Sequence, residues 1–303
     1  MRSKAPLIQK VQIRTNPLIT FSAVLHIGAC AAVFWQVWLW PWALGVVIAD
    51  HLLLVGCGLL PRSRTLGANL SRLPDAAAAR GEIALTIDDG PDPLVTPQVL
   101  DLLDHFAAKA SFFCVGTAAQ GHPDLCREIM RRGHSIENHT QHHRYNFSLS
   151  GPRSLHREIA WAQSTLTNIT GHKPHFFRAP AGLRNLFLDT VLIRLNLRLV
   201  SWTRRGYDTI NRDPEKVLKL LLHNLRAGDI LVLHDGNAAL TRNGVPVILE
   251  ILPLLLASVR GAGLHCVTLR AAMEAVVDVP AAPVPEPDFP LPHLIPAARG
   301  ATL

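Results

Sequence analysis

Seven short apolar runs, with stretches of helical periodicity between them, fill the chain from residue 83 to 268. They cover 83–87, 111–115, 134–138, 175–178, 198–202, 230–234 and 265–268. Between two of them, Leu155, Ile159, Ala162, Leu166 and Ile169 recur at steps of three and four, which makes one apolar helix face. Similar patterns occupy 95–108, 123–132, 185–195, 214–226 and 244–260. Repeated strand–helix units require parallel strands joined by right-handed crossovers. The spacing therefore predicts an α/β fold, either an open parallel sheet or a distorted, incomplete (β/α)7-type barrel. Both gather functional side chains at the C-terminal ends of the strands.

Those ends carry chemistry. Leu85-Thr86-Ile87 runs into two adjacent carboxylates, Asp88 and Asp89, and Gly90-Pro91 stops the strand. Paired like charges at a strand tip are costly unless their roles are divided, with one carboxylate on a metal and the other free as a base. His139 follows the third run and is trailed by Thr140, Gln141, His142 and His143. His139 and His143 are spaced to share a metal if the segment is a helical turn, and His142 offers a competing spacing. Arg178 to Gly182 follows the fourth run, Trp202 and Asp208 the fifth, and His234 closes the sixth. Two histidines and one carboxylate would leave coordination positions open for water and substrate.

A span from Pro17 to Pro61 contains no Lys, Arg or Glu. It is about 45 residues long, roughly twice the ~20 needed to cross a bilayer once. Trp38, Trp40, Pro41 and Trp42 lie in its middle, where interfacial tryptophans and a helix-breaking proline suit a turn. The expectation is a transmembrane helical hairpin, roughly 18–39 out and 43–60 back. A cleaved signal peptide fits poorly, because the span is too long and lacks a small-residue cleavage site. Asp50 inside the second helix is expected to pack against His26. The flanks are basic on both sides, with Arg2, Lys4, Lys10 and Arg14 before and Arg62, Arg64 and Arg72 after. Two basic flanks predict two cytoplasmic ends, so the domain after the hairpin is expected on the cytoplasmic face of a bacterial inner membrane, with the periplasmic side as the alternative. The expected order is a basic segment 1–16, the hairpin 17–61, a linker 62–81, the α/β domain 82–278 and a Pro-rich tail 279–303. The net charge of +7 is spread without a nucleic-acid motif, so membrane lipid and not nucleic acid is the expected anionic partner. The five cysteines form no C-x-x-C pair and read as free thiols.

The motif set resembles the polysaccharide deacetylases, the NodB-homology or carbohydrate esterase family 4 domain. Leu85 to Pro91 is similar to T-F-D-D-G-P with Ile87 in place of Phe. His139 to His143 matches H-[S/T]-x-x-H, which selects His143 over His142. Arg178 to Gly182 is similar to R-x-P-x-G, and Leu231 to His234 to L-x-L-H. The order and spacing agree across about residues 82–275. The fourth motif departs: aligned on Trp202, the first Asp of D-x-x-D-W falls on Arg205, the final Trp on Thr209, and only Asp208 survives. Ala181 likewise stands where an aromatic residue is common. These changes touch the substrate groove and leave the metal ligands intact.

The resemblance implies a divalent metal ion, Zn²⁺ foremost, on Asp89, His139 and His143. It implies Asp88 as general base held by Arg178, and His234 as general acid oriented by Asp208. The backbone N–H of Ala181 would stabilise the oxyanion, and Leu231 and Leu233 would line the acyl pocket. The implied substrate is an N-acylated amino sugar losing acetyl or formyl, and the basic, membrane-tethered topology suits a lipid-linked sugar. The alternatives are a periplasmic deacetylase of wall or exported polysaccharide, and a catalytically inactive glycan-binding or assembly subunit motivated by the altered fourth motif. The retained base, ligands and acid argue against the latter.

Overall fold

The computed structural model describes residues 16–274. The basic segment before residue 16 and the Pro-rich tail lie outside the described residues. Two helices, α1 (Pro17–Trp35) and α2 (Trp40–Gly58), form an antiparallel hairpin, followed by a short α3 (Asp75–Ala79). The domain then runs β1 (Glu82–Asp88), α4 (Thr96–His105), β2 (Ser111–Cys114), α5 (Gly116–Gly121), α6 (Pro123–Arg131), β3 (Ser135–Asn138) and α7 (Pro152–Thr170). It continues with β4 (Phe176–Phe177), α8 (Leu188–Leu195), β5 (Arg198–Leu199), β6 (Arg204–Arg205), α9 (Pro214–Leu222), β7 (Ile230–His234), α10 (Val247–Gly261), β8 (His265–Val267) and α11 (Leu269–Met273).

All the strand pairs are parallel, in the order β5-β4-β3-β2-β1-β7-β6, with β8 added on β1. The sheet curls into the incomplete barrel that the strand–helix alternation predicts, and its two edges, β5 and β6, do not pair with each other. The predicted runs match seven of these strands. The eighth, β6, consists of two arginines, so no apolar run marks it.

Every residue of β1 is buried, and its two faces have separate destinations. Ile83, Leu85 and Ile87 join Leu231 and Leu233 of β7 and the apolar faces of α4, α9 and α10 in the main core. Thr86 and Asp88 point the other way, into the barrel. Burying each such Leu or Ile stabilises the fold by roughly 1.5–3 kcal/mol, which pins the strand register and therefore which residues reach the rim.

The hairpin corrects one expectation. Its turn lies at Gln36, in extended conformation at φ −140°, and not at Pro41. Trp40, Pro41 and Trp42 already belong to α2, because a proline in the first helical turn loses no hydrogen bond. Asn16 caps α1 by accepting from the N–H groups of Leu18 and Ile19 at 3.0 and 3.3 Å. Both helices are long and apolar enough to cross a membrane. Large side chains such as Phe34 and Trp35 are exposed by 94% and 82%, a surface unsuited to water. Asp50 is buried between the helices, accepting from Ser22 Oγ at 2.6 Å, with His26 Nδ1 at 3.9 Å.

The expected linker is not free chain. Leu66, Leu73 and Ala77 are buried, and Leu70 bridges to Val200 beside β5. This segment also fixes the end of α2 to the domain. The Gly58 carbonyl accepts from Arg184 N–H at 3.2 Å, Asn69 Nδ2 donates to the Pro61 carbonyl at 2.8 Å, and Arg184 donates to the Ser63 carbonyl. Gly58 has no room for a side chain, since a Cβ there would run into the Arg184 carbonyl. The second apolar helix therefore ends against the loop that follows β4.

Candidate metal and catalytic site

β1 delivers Asp88 and Asp89 in opposite ways. Asp88 is the last strand residue, pointing inward. Asp89 adopts φ +76°, a left-handed conformation that swings its carboxylate across the rim. There Asp89 Oδ1 lies 3.2 Å from His139 Nε2 and 3.2 Å from His143 Nε2, while Oδ2 accepts from Asn237 Nδ2 at 3.0 Å.

The two histidines converge from a loop and not from the helical turn that their spacing suggested. Thr140 and His143 have φ +69° and +49°, and the segment is held by its backbone. The Thr140 and Gln141 carbonyls accept from the N–H groups of Gly116 and Thr117, both at 2.9 Å, at the start of α5. Thr140 N–H donates to Asn138 Oδ1, and His143 N–H to Thr140 Oγ1. His142 turns away, with Nδ1 3.0 Å from Glu158 on α7. The contest between His142 and His143 is thus decided by the loop.

The donor set fits a cation. His139 Nδ1 lies 2.8 Å from the Arg178 carbonyl, which can only accept, so Nδ1 carries the ring proton. In a neutral ring the Nε2 lone pair then faces the lone pairs of Asp89 Oδ1, which is buried and has no hydrogen-bond partner. Lone pairs opposed at 3.2 Å require a positive charge between them. The electrostatics agree. Burial would raise the Asp89 carboxyl, but the adjoining His139 imidazole, with the charges of His234 and His143 behind it, holds it far below the usual carboxylate range. Burial would lower His139, yet Asp89 and Asp88 push it upward. Burial and the neighbouring His139 charge lower His143.

Asp88 faces a single cation. Arg178, 1% exposed, donates to Asp88 Oδ1 at 2.5 Å, to Thr86 Oγ1 at 2.8 Å and to the Ser201 carbonyl at 3.0 Å. Its guanidinium stacks 4.2 Å over the Phe113 ring. Burial lowers the Arg178 pKa, and Asp88 partly restores it.

Opposite stands His234 at the tip of β7. Asp208, fully buried, grips it twice: Oδ1 lies 2.9 Å from Nδ1, and Oδ2 accepts the His234 backbone N–H at 2.8 Å. Burial alone would lower His234, but the Asp208 hydrogen bond and charge, aided by Asp88 and Asp89, hold it above the ordinary histidine value. Ala181 sits in an exposed left-handed turn at φ +53°. The bonds closing that turn come from the N–H groups of Gly182 and Leu183.

Leu231 and Leu233 are not in the site. Both are fully buried in the main core, on the face of β7 opposite His234. Strand alternation puts Val232 on the His234 side instead, a parity argument available from the sequence. Sequence reasoning also missed Asn237, Thr86 and Thr96. Thr96 Oγ1 donates to Asp235 at 2.5 Å, and burial, with Asp89 nearby, raises the Asp235 carboxyl to about 7. Loop residues such as Asn237 carry no local signal that would have found them.

Comparisons with known proteins identify the family. The family model described as "Polysaccharide deacetylase" matches residues 75–200, a stretch that includes Asp88, Asp89, His139, His143 and Arg178. A peptidoglycan-N-acetylglucosamine deacetylase of Bacillus cereus is 36% identical over 175 residues, covering 57% of this chain and 81% of that protein. A chitooligosaccharide deacetylase of Azorhizobium caulinodans is 35% identical, covering 52% of this chain and 75% of the relative. Among solved structures, the Bc1960 peptidoglycan N-acetylglucosamine deacetylase superposes with a TM-score of 0.61 at 25% identity, over 67% of this chain and 92% of that one. A Bacillus anthracis pseudoenzyme of the same fold reaches 0.61 at 17% identity, a likeness of fold alone. This chain belongs to the polysaccharide deacetylase family, whose members hydrolyse the amide C–N bond of N-acetylated sugars.

Proposed function

We propose that this protein is a membrane-anchored, metal-dependent deacetylase that removes the acetyl or formyl group from the nitrogen of an amino sugar. The observation that carries the reading is the convergence, on one rim, of three ligand atoms within 4.8 Å of one another, with Asp88 and His234 contributed by strands β1 and β7 that pair directly. Asp89, His139 and His143 would hold the ion, Zn²⁺ by ligand type. A divalent ion bound there supplies Lewis-acid polarisation of the amide carbonyl and eases loss of a proton from water.

The remaining work falls to the chain. Asp88 accepts the proton of the attacking water at its carboxylate, and the Arg178 guanidinium, hydrogen-bonded to Oδ1, holds that carboxylate in place. The Ala181 N–H donates to the developing oxyanion, a role that needs no side chain. His234 donates a proton to the departing amine, and Asp208 keeps the ring positively charged and correctly turned. Val232, rather than Leu231 or Leu233, borders the acyl pocket.

The attachment of α2 supports a substrate at the bilayer surface. Pro61 packs against Gly182, so the membrane end of the hairpin abuts the turn that supplies the oxyanion donor. An amino sugar on a lipid carrier would meet the site without leaving the membrane. The second reading is a periplasmic deacetylase of peptidoglycan, favoured by the substrate named for the Bacillus cereus relative. Purified protein in vesicles separates the two. A prenyl-phosphate-linked N-acetylglucosamine should be deacetylated faster than chitotetraose or soluble peptidoglycan fragments. Equal or slower rates would refute the lipid-linked substrate and favour the second reading.

A further inference from the structure

We propose that Arg205, assisted by Arg62, forms a phosphate-binding subsite beside the catalytic rim, specific for an amino sugar joined to its carrier through a phosphate ester. The inference rests on the deacetylase reading above and names the chemistry by which the substrate would be held.

Arg205 is held by two aromatic rings and by no carboxylate among the described residues. Its guanidinium lies 4.9 Å from the Trp202 ring centroid and 5.1 Å from that of Tyr207. Its Nε is buried without a hydrogen-bond partner, and the side chain makes no ion pair among the described residues. Its neighbour Arg204 is matched to Asp229 at 3.0 Å, as Arg72 is at 2.7 Å, and Arg270 to Glu137 at 2.7 Å. A half-buried cation with no carboxylate is costly unless an anion arrives to complete it. Cation–π contact with two rings fixes the plane of the guanidinium, and a fixed fork suits bidentate contact with phosphate oxygens.

The position is right for substrate. Trp202 lies between Arg205 and the catalytic turn. One side of its ring carries Arg205, and its outer edge packs on Gly182, where a Cβ would collide with it. Arg178 lies 5.9 Å from the same ring. The charge of Arg205 also disfavours the neighbouring Arg178 cation, a tension that an incoming anion relieves. From the membrane side comes Arg62, directly after Pro61, with Nη1 3.4 Å from the Thr203 carbonyl. Two cations thus stand between the end of α2 and the rim. A neutral glycan would have no use for them. A sugar phosphate whose acyl amide reaches the ligand cluster would put its phosphate near this pair.

The full-length protein in detergent would be titrated with farnesyl phosphate, N-acetylglucosamine 1-phosphate and, as a control lacking phosphate, farnesol. Arg205→Gln should weaken binding of the phosphates by about tenfold or more, as expected for loss of a bidentate charge-assisted pair, and leave farnesol binding as in the wild type. Arg205→Lys should retain part of the affinity, since it keeps the charge and loses the fork. Wild-type binding of farnesyl phosphate alone assigns the anion to a lipid carrier, and binding of both phosphates admits a soluble sugar phosphate. Equal phosphate affinity in wild type and Arg205→Gln overturns the subsite. Acetate release from chitotriose is scored in parallel. Arg205-dependent phosphate binding with release of neither acetate nor formate from N-acetylated and N-formylated amino sugars, free or prenyl-phosphate-linked, refutes the deacetylase reading and not the subsite. Acetate release with Arg205-independent phosphate binding refutes the subsite alone.

Discussion

Asp208→Asn tests the acid half of the mechanism with nearly no change in shape. Asp208 satisfies two donors on one residue, the backbone N–H and the ring Nδ1–H of His234. An asparagine has only one acceptor oxygen for them. If that oxygen keeps the backbone N–H, its NH₂ group faces Nδ1 and forbids a proton there. If it keeps Nδ1–H, the NH₂ group opposes the backbone N–H. Either arrangement disfavours the doubly protonated ring. A hydrogen bond to a charged group contributes about 1.5–3 kcal/mol. At about 1.4 kcal/mol per pH unit, its loss should lower the His234 pKa by about one to two units. The sign follows from the direction of the native shift. His234 is held above its ordinary value, so the acid form is complete below that raised pKa and is lost as pH rises through it. The alkaline limb of the kcat profile should therefore move down by about one to two pH units in Asp208→Asn, with the acidic limb in place. Acetate release measured across pH, with the same metal content in both proteins, is the assay. An alkaline limb unmoved by the substitution would refute the pairing of His234 with catalytic proton donation.

Asp88→Asn should lower kcat by about 10²–10⁴-fold while the metal content stays full, checked by elemental analysis beside the rate; loss of metal would mean that Asp88 is a ligand. Arg178→Met leaves a buried carboxylate without its cation and should cost about 3–5 kcal/mol of stability, seen as a lower Tm; an unchanged Tm would contradict the buried pair. Leu233→Ala should destabilise by about 2–5 kcal/mol without changing the ratio of acetyl to propionyl hydrolysis, whereas Val232→Ala should widen acyl tolerance. The opposite pattern would return Leu233 to the pocket.

The parts of this architecture that were legible in the sequence are those written in local pattern. Leu85 to Pro91 could be read because an apolar run must end where two carboxylates and a proline follow, and β1 ends at Asp88. The rim itself followed from strand ends alone. The ligand set was legible as residues but not as geometry. His139 and His143 meet through two left-handed residues and through bonds to α5, a helix of small residues that no periodicity announces. For Leu231 and Leu233 the motif and the strand pattern point opposite ways, and parity puts both with Leu85 and Ile87 in the main core. The stretch after Pro61 looked like a linker because its composition is polar and broken. Its three buried apolar residues, Leu66, Leu73 and Ala77, act through contacts distant in sequence. The pairing of Asp208 with His234, 26 residues apart, was expected only through family likeness.

Acetate release from an N-acetylglucosamine oligomer or its prenyl-phosphate-linked counterpart tests the central claim most directly. The full-length protein would be assayed as purified, after chelation, after return of Zn²⁺, and as the Asp89→Asn variant. The account predicts release that disappears on chelation, returns with the ion and stays absent in Asp89→Asn. Release that survives chelation, or that Asp89→Asn sustains at the wild-type rate, would contradict it.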